Sequence, residues 1–349
     1  MTTSKKTGVL DRELGRSRAR VGFNPSQMGV APLSLDVLVP DEPLPVDFYV
    51  PIYRQESKRI EMTLAAERGE IYQKAWRDRL KKANQTKFFV RIEDGEAINA
   101  YFESNAGNIL DKHNAPLSKK RAVIKEMSDL NLRILFGGDL SPKALDNSVK
   151  RAQDAVSRMA GDPQILTKLV DVLSVDYSVY SHSVNVSMLG MAFGKHLGFD
   201  ESRVMALGVG GMLHDVGMAK LPGIPLEKPE DQMTPRERSL FRQHAKLGYK
   251  MLAPIGAVSY DVLMIVQHHH ENADGSGFPT GLNAAKIPHL ARMVRIVDAY
   301  DVMTSHRPHR PAMTPSQAAA VLLGEAMPAF GSDLAPEFVR FLGSPAFTL

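Results

Sequence analysis

The chain has 349 residues, 44% hydrophobic and 23% charged, a globular composition with room for two or three domains that each bury a core. Its net charge is +4 and it contains no cysteine. Disulfides, Cys-based zinc sites and thiol nucleophiles are therefore excluded, and any metal must be held by His, Asp or Glu. No Lys/Arg run interleaved with aromatics marks a nucleic-acid footprint. Neither a signal peptide nor the ~20-residue apolar run of a membrane helix is visible, so the expectation is a cytoplasmic protein without a membrane span.

Residues 1–35 are poor in large apolar side chains, and Lys5, Lys6, Arg12, Arg16, Arg18 and Arg20 outnumber Asp11 and Glu13. A disordered basic tail is expected there. A proline-rich stretch follows, with Pro32, Pro40, Pro43 and Pro45. Leu44–Tyr53 reads as a strand, and Pro51 places its end near a sheet edge. Ala65–Lys82 reads as a helix with Ile71, Trp76 and Leu80 on or near one face. Lys87–Ile92 is a second strand, Glu93-Asp94-Gly95 a turn and Ala97–Glu103 a short helix. A small α/β regulatory domain is thus expected over residues 36–140. It shows no phosphate loop, no acidic pocket fit for phosphorylation and no ligand cluster.

Leu117–Arg133 reads as a helix after the Asn114-Ala115-Pro116 breaker. Ser141-Pro142 fits an N-cap followed by proline in the first helical position, opening a helix over residues 142–160. From Gln164 onward the pattern is almost wholly helical. There is little β-branched alternation, and breaks fall at Gly198, Gly217, Pro222, Pro229, Gly256, Gly281 and Pro311. An all-α helical bundle is expected over residues 141–349.

Five segments of this half carry metal-ligand side chains. His182 opens an apolar helix. His214-Asp215 is an adjacent pair in which the imidazole can bind one metal while the carboxylate bridges two. His244 follows, then His268-His269-His270-Glu271 leading into a glycine turn closed by Pro279. Asp298 and Asp301 lie in an apolar helix beside Arg295. Taken singly, each has a plain reading: a satisfied helix histidine, a chance His-Asp pair, a solvated helix end, or carboxylates paired with Arg295. Together in one helical domain they point to a nitrogen/oxygen site for two metals, which sit ~3.5–4 Å apart in phosphoesterases.

In order and spelling these segments resemble HD-GYP domains. Those carry an H-D pair, a later His, H-H-E-x-x-D-G-x-G-Y-P, an Asp in an apolar helix, and R-P-Y-[RK]. Here the matching residues are His214-Asp215, His244, His269 to Pro279, Asp298 and Arg307-Pro308-His309-Arg310. The register pairs His269 with His270 and leaves His268 as an extra. The resemblance covers roughly residues 170–325.

It implies a phosphodiesterase that opens cyclic di-GMP to pGpG or carries it on to GMP. Two divalent metals, iron or manganese, would be held by His182, His214, Asp215, His244, His269, His270 and Asp298. Asp215 would bridge them, with His214 beside it in the catalytic pair, and a hydroxide between the metals would attack phosphorus in line. Arg307 and Arg310 would grip substrate phosphate, a task suited to guanidinium. Phe278, Gly277, Lys220 and Asp301 complete the expected substrate-binding set. Implied partners are cyclic di-GMP, a diguanylate cyclase (GGDEF) or other signalling domain, and a second copy of the chain.

Four departures from the family pattern bear on activity. Ser178 stands where some members have a Glu that holds a third metal, so two metals are expected. Met218 replaces a frequent Lys, and a phosphate contact is lost unless Lys220 reaches in. Phe278 replaces Tyr, keeping a ring for stacking on a guanine or a partner but losing the hydroxyl. His309 replaces the Tyr of R-P-Y. Glu271 and Asp274 are expected to orient ligands or shape the turn. An active phosphodiesterase therefore competes with a weak or inactive module that binds the nucleotide or a partner protein, and with a phosphohydrolase for another nucleotide. The intact ligand set favours the first.

Overall fold

The computed structural model describes residues 28–54, 56–82, 87–110, 117–162, 164–166, 169, 173, 178–221, 228, 230–307 and 310–348. They fall into two compact units, one ending at Gly138 and the other beginning at Asp139.

The first unit is built on a four-stranded antiparallel sheet in the order β1-β4-β2-β3, from β1 (Val30–Ser34), β2 (Phe48–Arg54), β3 (Arg59–Ala66) and β4 (Lys87–Arg91). Phe88, Phe89 and Val90 of β4 are all buried, and Phe88 meets Phe48 edge-on at 5.2 Å. Helices α1 (Lys74–Lys82), α2 (Gly95–Leu110) and α3 (Leu117–Gly137) complete the unit. α3 packs on α2 and on β1.

Three expectations for this unit need correction. The basic tail was expected to run to residue 35, but Val30–Ser34 is a strand paired with β4, and Val30, Ala31 and Leu33 are buried. Residues 1–27 lie outside the described residues. The helix expected from Ala65 begins only at Lys74. Residues 59–66 instead form β3, whose charged and apolar residues alternate from Arg59 to Met62, and Gly69 at φ +83° turns the chain. Trp76 and Leu80 are buried as expected, whereas Ile71 precedes the helix and is 48% exposed. Pro51 lies inside β2, which has neighbours on both sides. β4 meets it only at Tyr49↔Phe89, so Pro51 stands where a single neighbour remains.

The second unit is helical, and its described residues contain no strand. α4 (Pro142–Gly161) opens as its sequence predicts, with the Ser141 side chain accepting from the Ala144 amide and proline in the first turn. Then come α5 (Val179–His196), α6 (Glu201–Leu213), a 3-10 turn (Val216–Lys220), α7 (Pro235–Phe241), α8 (His244–Leu252), α9 (Tyr260–His268) and α10 (His289–Thr304). α11 (Pro315–Leu323), α12 (Met327–Phe330), α13 (Leu334–Leu342) and α14 (Pro345–Thr348) close the chain. α5 is buried almost end to end, as an all-round apolar helix must be. It packs on α6 and α10, while α6 also packs on α4 and α9. Among the described residues no helix is long and apolar enough to cross a membrane.

Two glycines set the spacing at the centre. A Cβ on Gly211 of α6 would stand 3.0 Å from backbone atoms of Ser187 on α5. A Cβ on Gly217 would stand 2.0 Å from the carbonyl oxygen of His244 and 2.5 Å from the amide of Gly248. The turn after His214-Asp215 can therefore lie directly on α8, which brings the pair to His244. Gly217→Ala should destabilise the fold by about 1–3 kcal/mol, because backbone rather than a flexible side chain blocks it. Gly161→Ala, where a Cβ meets nothing within 4 Å, should leave the urea midpoint unchanged or slightly raised. Equal midpoints for the two variants would refute the close-approach argument.

Candidate metal centre

Each expected ligand sits at a helix end or on the inner face of a helix. His182 lies in the first turn of α5. That helix is capped by Ser178, whose hydroxyl accepts from the Ser181 amide at 3.1 Å, while the Ser181 hydroxyl accepts from the Ser178 amide at 3.0 Å. The position that resemblance links to a third metal thus carries a reciprocal cap. His214 and Asp215 end α6, His244 begins α8, and His269 and His270 follow α9. Asp298 and Asp301 lie three residues apart on one face of α10.

These elements bring the ligands together around Asp215. Its Oδ2 is 3.3 Å from Nε2 of His214, and its Oδ1 is 3.3 Å from Nε2 of His244 and 3.7 Å from Nε2 of His269. Two groups of ligand atoms result, each within 4.8 Å: Asp215, His244, His269 and His270, and His182, His214 and Asp215. Asp298 joins the second group through Oδ1, 3.1 Å from Nε2 of His182. One carboxylate thus faces both groups, with an oxygen for each.

The outer nitrogens fix which proton each ring carries. Nδ1 of His214, His244 and His269 lies 2.7, 2.6 and 2.9 Å from the carbonyl oxygens of Gly211, Phe241 and Val266. A carbonyl only accepts, so each Nδ1–H donates and each Nε2 turns a lone pair inward. Nδ1 of His182 is 2.7 Å from Oδ2 of Asp301 and donates likewise. Nε2 of His244 and Nε2 of His269 are then left facing each other at 3.2 Å in a buried site. Only a shared proton or a metal ion relieves that contact. Burial lowers the basicity of His244 to about 4 against the pull of Asp215, so this ring favours offering its lone pair to a metal.

Burial likewise holds His270 well below the usual histidine value, helped by His269 and His244. Burial also works against the charge of Asp215, but His214 beside it outweighs this and keeps the carboxyl well below the usual range. His214 in turn is raised, because Asp215 overcomes the effect of its burial. The set therefore combines carboxylates held ionised with imidazoles, His244 and His270 among them held neutral, which suits divalent metals of the borderline class.

Other expected residues have different neighbours. Asp301, expected at the substrate, is 2% exposed, and both its oxygens have protein partners: Oδ2 holds His182, and Oδ1 accepts from Asn185 Nδ2 at 2.7 Å. Its three-residue offset from Asp298 places it behind the ligands. Arg310, expected on phosphate, donates to the carbonyl oxygens of Val302, Met303 and Pro311, at the C-terminal end of α10 and just after it, where helix carbonyls lack partners. Arg307 pairs with Arg310 through the backbone, at 3.1 Å in both directions. Lys220 ends the 3-10 turn and is exposed, and Met218 is 6% exposed. His309 lies outside the described residues.

The glycine turn is locked by its own polar groups. Glu271, 1% exposed, accepts from the amide and hydroxyl of Thr280 and from the amide of Leu282 at 2.6–2.9 Å. Asp274 accepts from the amide and hydroxyl of Ser276. A Cβ on Gly277 would stand 2.2 Å from the Asn272 amide, so this glycine serves a close backbone approach. Phe278 stacks on His270 at 4.5 Å, and the Arg242 guanidinium lies 5.1 Å from its ring centre. The sequence reading contained neither Asn185 nor Arg242, and it named Arg295 only as a partner for Asp298 and Asp301. Asn185 was detectable three residues after His182, on the same face of α5, and Arg295 three before Asp298.

The HD domain family model matches residues 157–334, just over half of the chain. The chain belongs to the HD domain family. Its HD domain is 35% identical over 180 residues to a cyclic di-GMP phosphodiesterase of Pseudomonas aeruginosa, covering 50% of this chain and 43% of that protein. It is 31% identical over 139 residues to a cyclic di-GMP phosphodiesterase of Thermotoga maritima, covering 39% and 37%. A 3'3'-cGAMP-specific phosphodiesterase of Vibrio cholerae is 29% identical over 161 residues, covering 46% and 36%. The matched region spans less than half the length of each of these relatives. The solved structure of Bd1817, an HDG"Y"P protein of Bdellovibrio bacteriovorus, superposes with a TM-score of 0.65 at 20% identity, covering 90% of this chain and all of that one. That is a likeness of fold, and it extends over both units.

Asp301→Ala should weaken metal binding about 10- to 100-fold by releasing His182, read from metal titration of the apo protein. An unchanged affinity would remove Asp301 from this role. In metal-free protein, His244 and His270 are less basic folded than unfolded. Their contribution to stability is therefore complete above about pH 6.5 and is lost as pH falls toward 4. Urea midpoints measured across that window should drop with pH.

Proposed function

We propose that this chain is a metal-dependent phosphodiesterase that hydrolyses cyclic di-GMP, opening the ring to pGpG or carrying it on to GMP. The observation that carries this reading is the single carboxylate, Asp215, shared between two groups of imidazoles. The relatives named as cyclic di-GMP phosphodiesterases support the substrate.

Two divalent ions, iron or manganese, fit the donor set. His182, His214, Asp215 and Asp298 would hold one, and Asp215, His244, His269 and His270 the other. The pair would supply Lewis acidity to the phosphoryl oxygens and lower the pKa of a water at neutral pH. The chain contributes positioning. Backbone carbonyls and Asp301 fix the tautomer and tilt of four imidazoles, so no ligand has to reorganise as charge develops on phosphorus. Phe241 and Phe278 pack against His270 and His244 and keep water from one side of the ligands. The Glu271 and Asp274 hydrogen bonds hold the turn that carries Phe278. None of the departures at Ser178, Met218 and Phe278 removes a ligand.

The test is to quantify bound metal in the purified protein and to resolve the products of cyclic di-GMP by chromatography, with 3'3'-cGAMP in parallel. Asp215→Ala should lose metal and at least 100-fold in turnover, since both metal groups lose a donor. Metal-loaded wild type that leaves cyclic di-GMP intact would sink the reading. Cleavage of 3'3'-cGAMP alone would move the substrate, and tight binding without turnover would favour a non-catalytic receptor.

A further inference from the structure

Among the described residues, the cation nearest the ligands comes from a position that the sequence comparison did not mark. Arg295 lies one turn before Asp298 on α10, and its side chain is 21% exposed. Three elements hold it. Its Nε donates to Oδ1 of Asn272, just after the His269-His270 pair, at 3.0 Å. Its guanidinium sits 5.1 Å from the ring centre of Phe330 on α12. Its Nη1 is 3.9 Å from Oδ2 of Asp298, close enough for attraction but beyond hydrogen-bond length. Its two terminal amino groups thus donate no hydrogen bond among the described residues, although a guanidinium this enclosed normally uses its donors.

The carboxylates that stabilise its charge are Asp298, Glu230 and Asp274. Each has another partner: Asp298 faces His182, Glu230 binds Arg242 at 2.7 Å, and Asp274 accepts from Ser276. None forms the two-pronged pair that would satisfy the fork of Arg295. Arg295 is thereby fixed beside Asp298, an expected ligand, and tied to Asn272, which follows the His269-His270 pair by two residues.

We propose that Arg295 is a substrate-binding residue whose free amino groups take the non-bridging oxygens of the phosphodiester, supplying from α10 the cation that is missing at Met218. This rests on the phosphodiesterase reading of the site. Met218 is buried and apolar, and Lys220 is exposed at the end of its turn. Arg310, one of the two arginines expected on phosphate, is occupied by carbonyl oxygens. Arg295 combines proximity to the ligands, a fixed pose and spare donors, and its planar fork matches a phosphate as a lysine cannot.

The experiment compares wild type, Arg295→Gln and Arg295→Lys in three measurements: bound metal, affinity for inorganic phosphate by calorimetry, and kcat/KM for bis(p-nitrophenyl) phosphate, a diester without a nucleobase. The expected result is unchanged metal content in both variants. In the Gln variant, phosphate affinity and kcat/KM should each fall about 10- to 100-fold, the range for one charge-assisted contact, with part regained in the Lys variant. Phosphate affinity that is equal in wild type and Gln variant would overturn the proposal. So would a Gln variant that loses metal in step with activity, since Arg295 would then only steady Asp298. If wild type cleaves the base-free diester but leaves cyclic dinucleotides intact, the substrate reading fails, and the phosphate affinities still decide the role of Arg295.

Discussion

The carboxylate of Asp215 is the point at which the helical unit converges. Burying several imidazoles and three carboxylates, those of Asp215, Asp298 and Asp301, in a helical core is costly unless each polar atom has a partner. Here the outer nitrogens of His182, His214, His244 and His269 are satisfied by the protein, while the inner ones converge on Asp215, on Asp298 and on one another. The inner half of that arrangement is incomplete without a cation. The fold thus supplies rigid groups of His and Asp side chains that could hold a metal ion.

Much of the surrounding architecture follows from the need to bring backbones close. Gly211 lets α6 approach α5, and Gly217 lets the turn after Asp215 lie on α8. The burial of α5 along nearly its whole length fixes the rotation at which His182 meets Asp301. On the other side, Glu271 and Asp274 spend their charges on the glycine turn, which holds Phe278 against His270. Short-range hydrogen bonding therefore shapes the mouth of the site, and helix packing shapes its floor.

The legibility of the chain varied with the range of the interactions involved. His269 and His270 were readable because their chemistry is adjacent in sequence, and the Ser141-Pro142 helix start because capping is local. β3 was missed because it is an edge strand only partly buried, so its alternation is weak, and the helix expected from Ala65 absorbed its end. Asp301 was assigned to substrate because spacing on α10 cannot say which of two carboxylates faces a ligand and which backs it. Arg310 was assigned to phosphate by its place in a motif, whereas the end of α10 uses its donors.

By itself the sequence determined the inventory: a cysteine-free chain with seven expected nitrogen and oxygen ligands in one helical half, and the order in which they come. Residue type and local periodicity suffice for that. Only the tertiary structure decided that Asp215 is shared, that His214, His244 and His269 turn Nε2 toward it, that Ser178 is a cap and that Arg295 stands beside Asp298. Those outcomes depend on the crossing of helices separated by up to 119 positions, as between His182 and Asp301, and on which backbone carbonyl each ring meets. No one-dimensional spacing encodes such contacts.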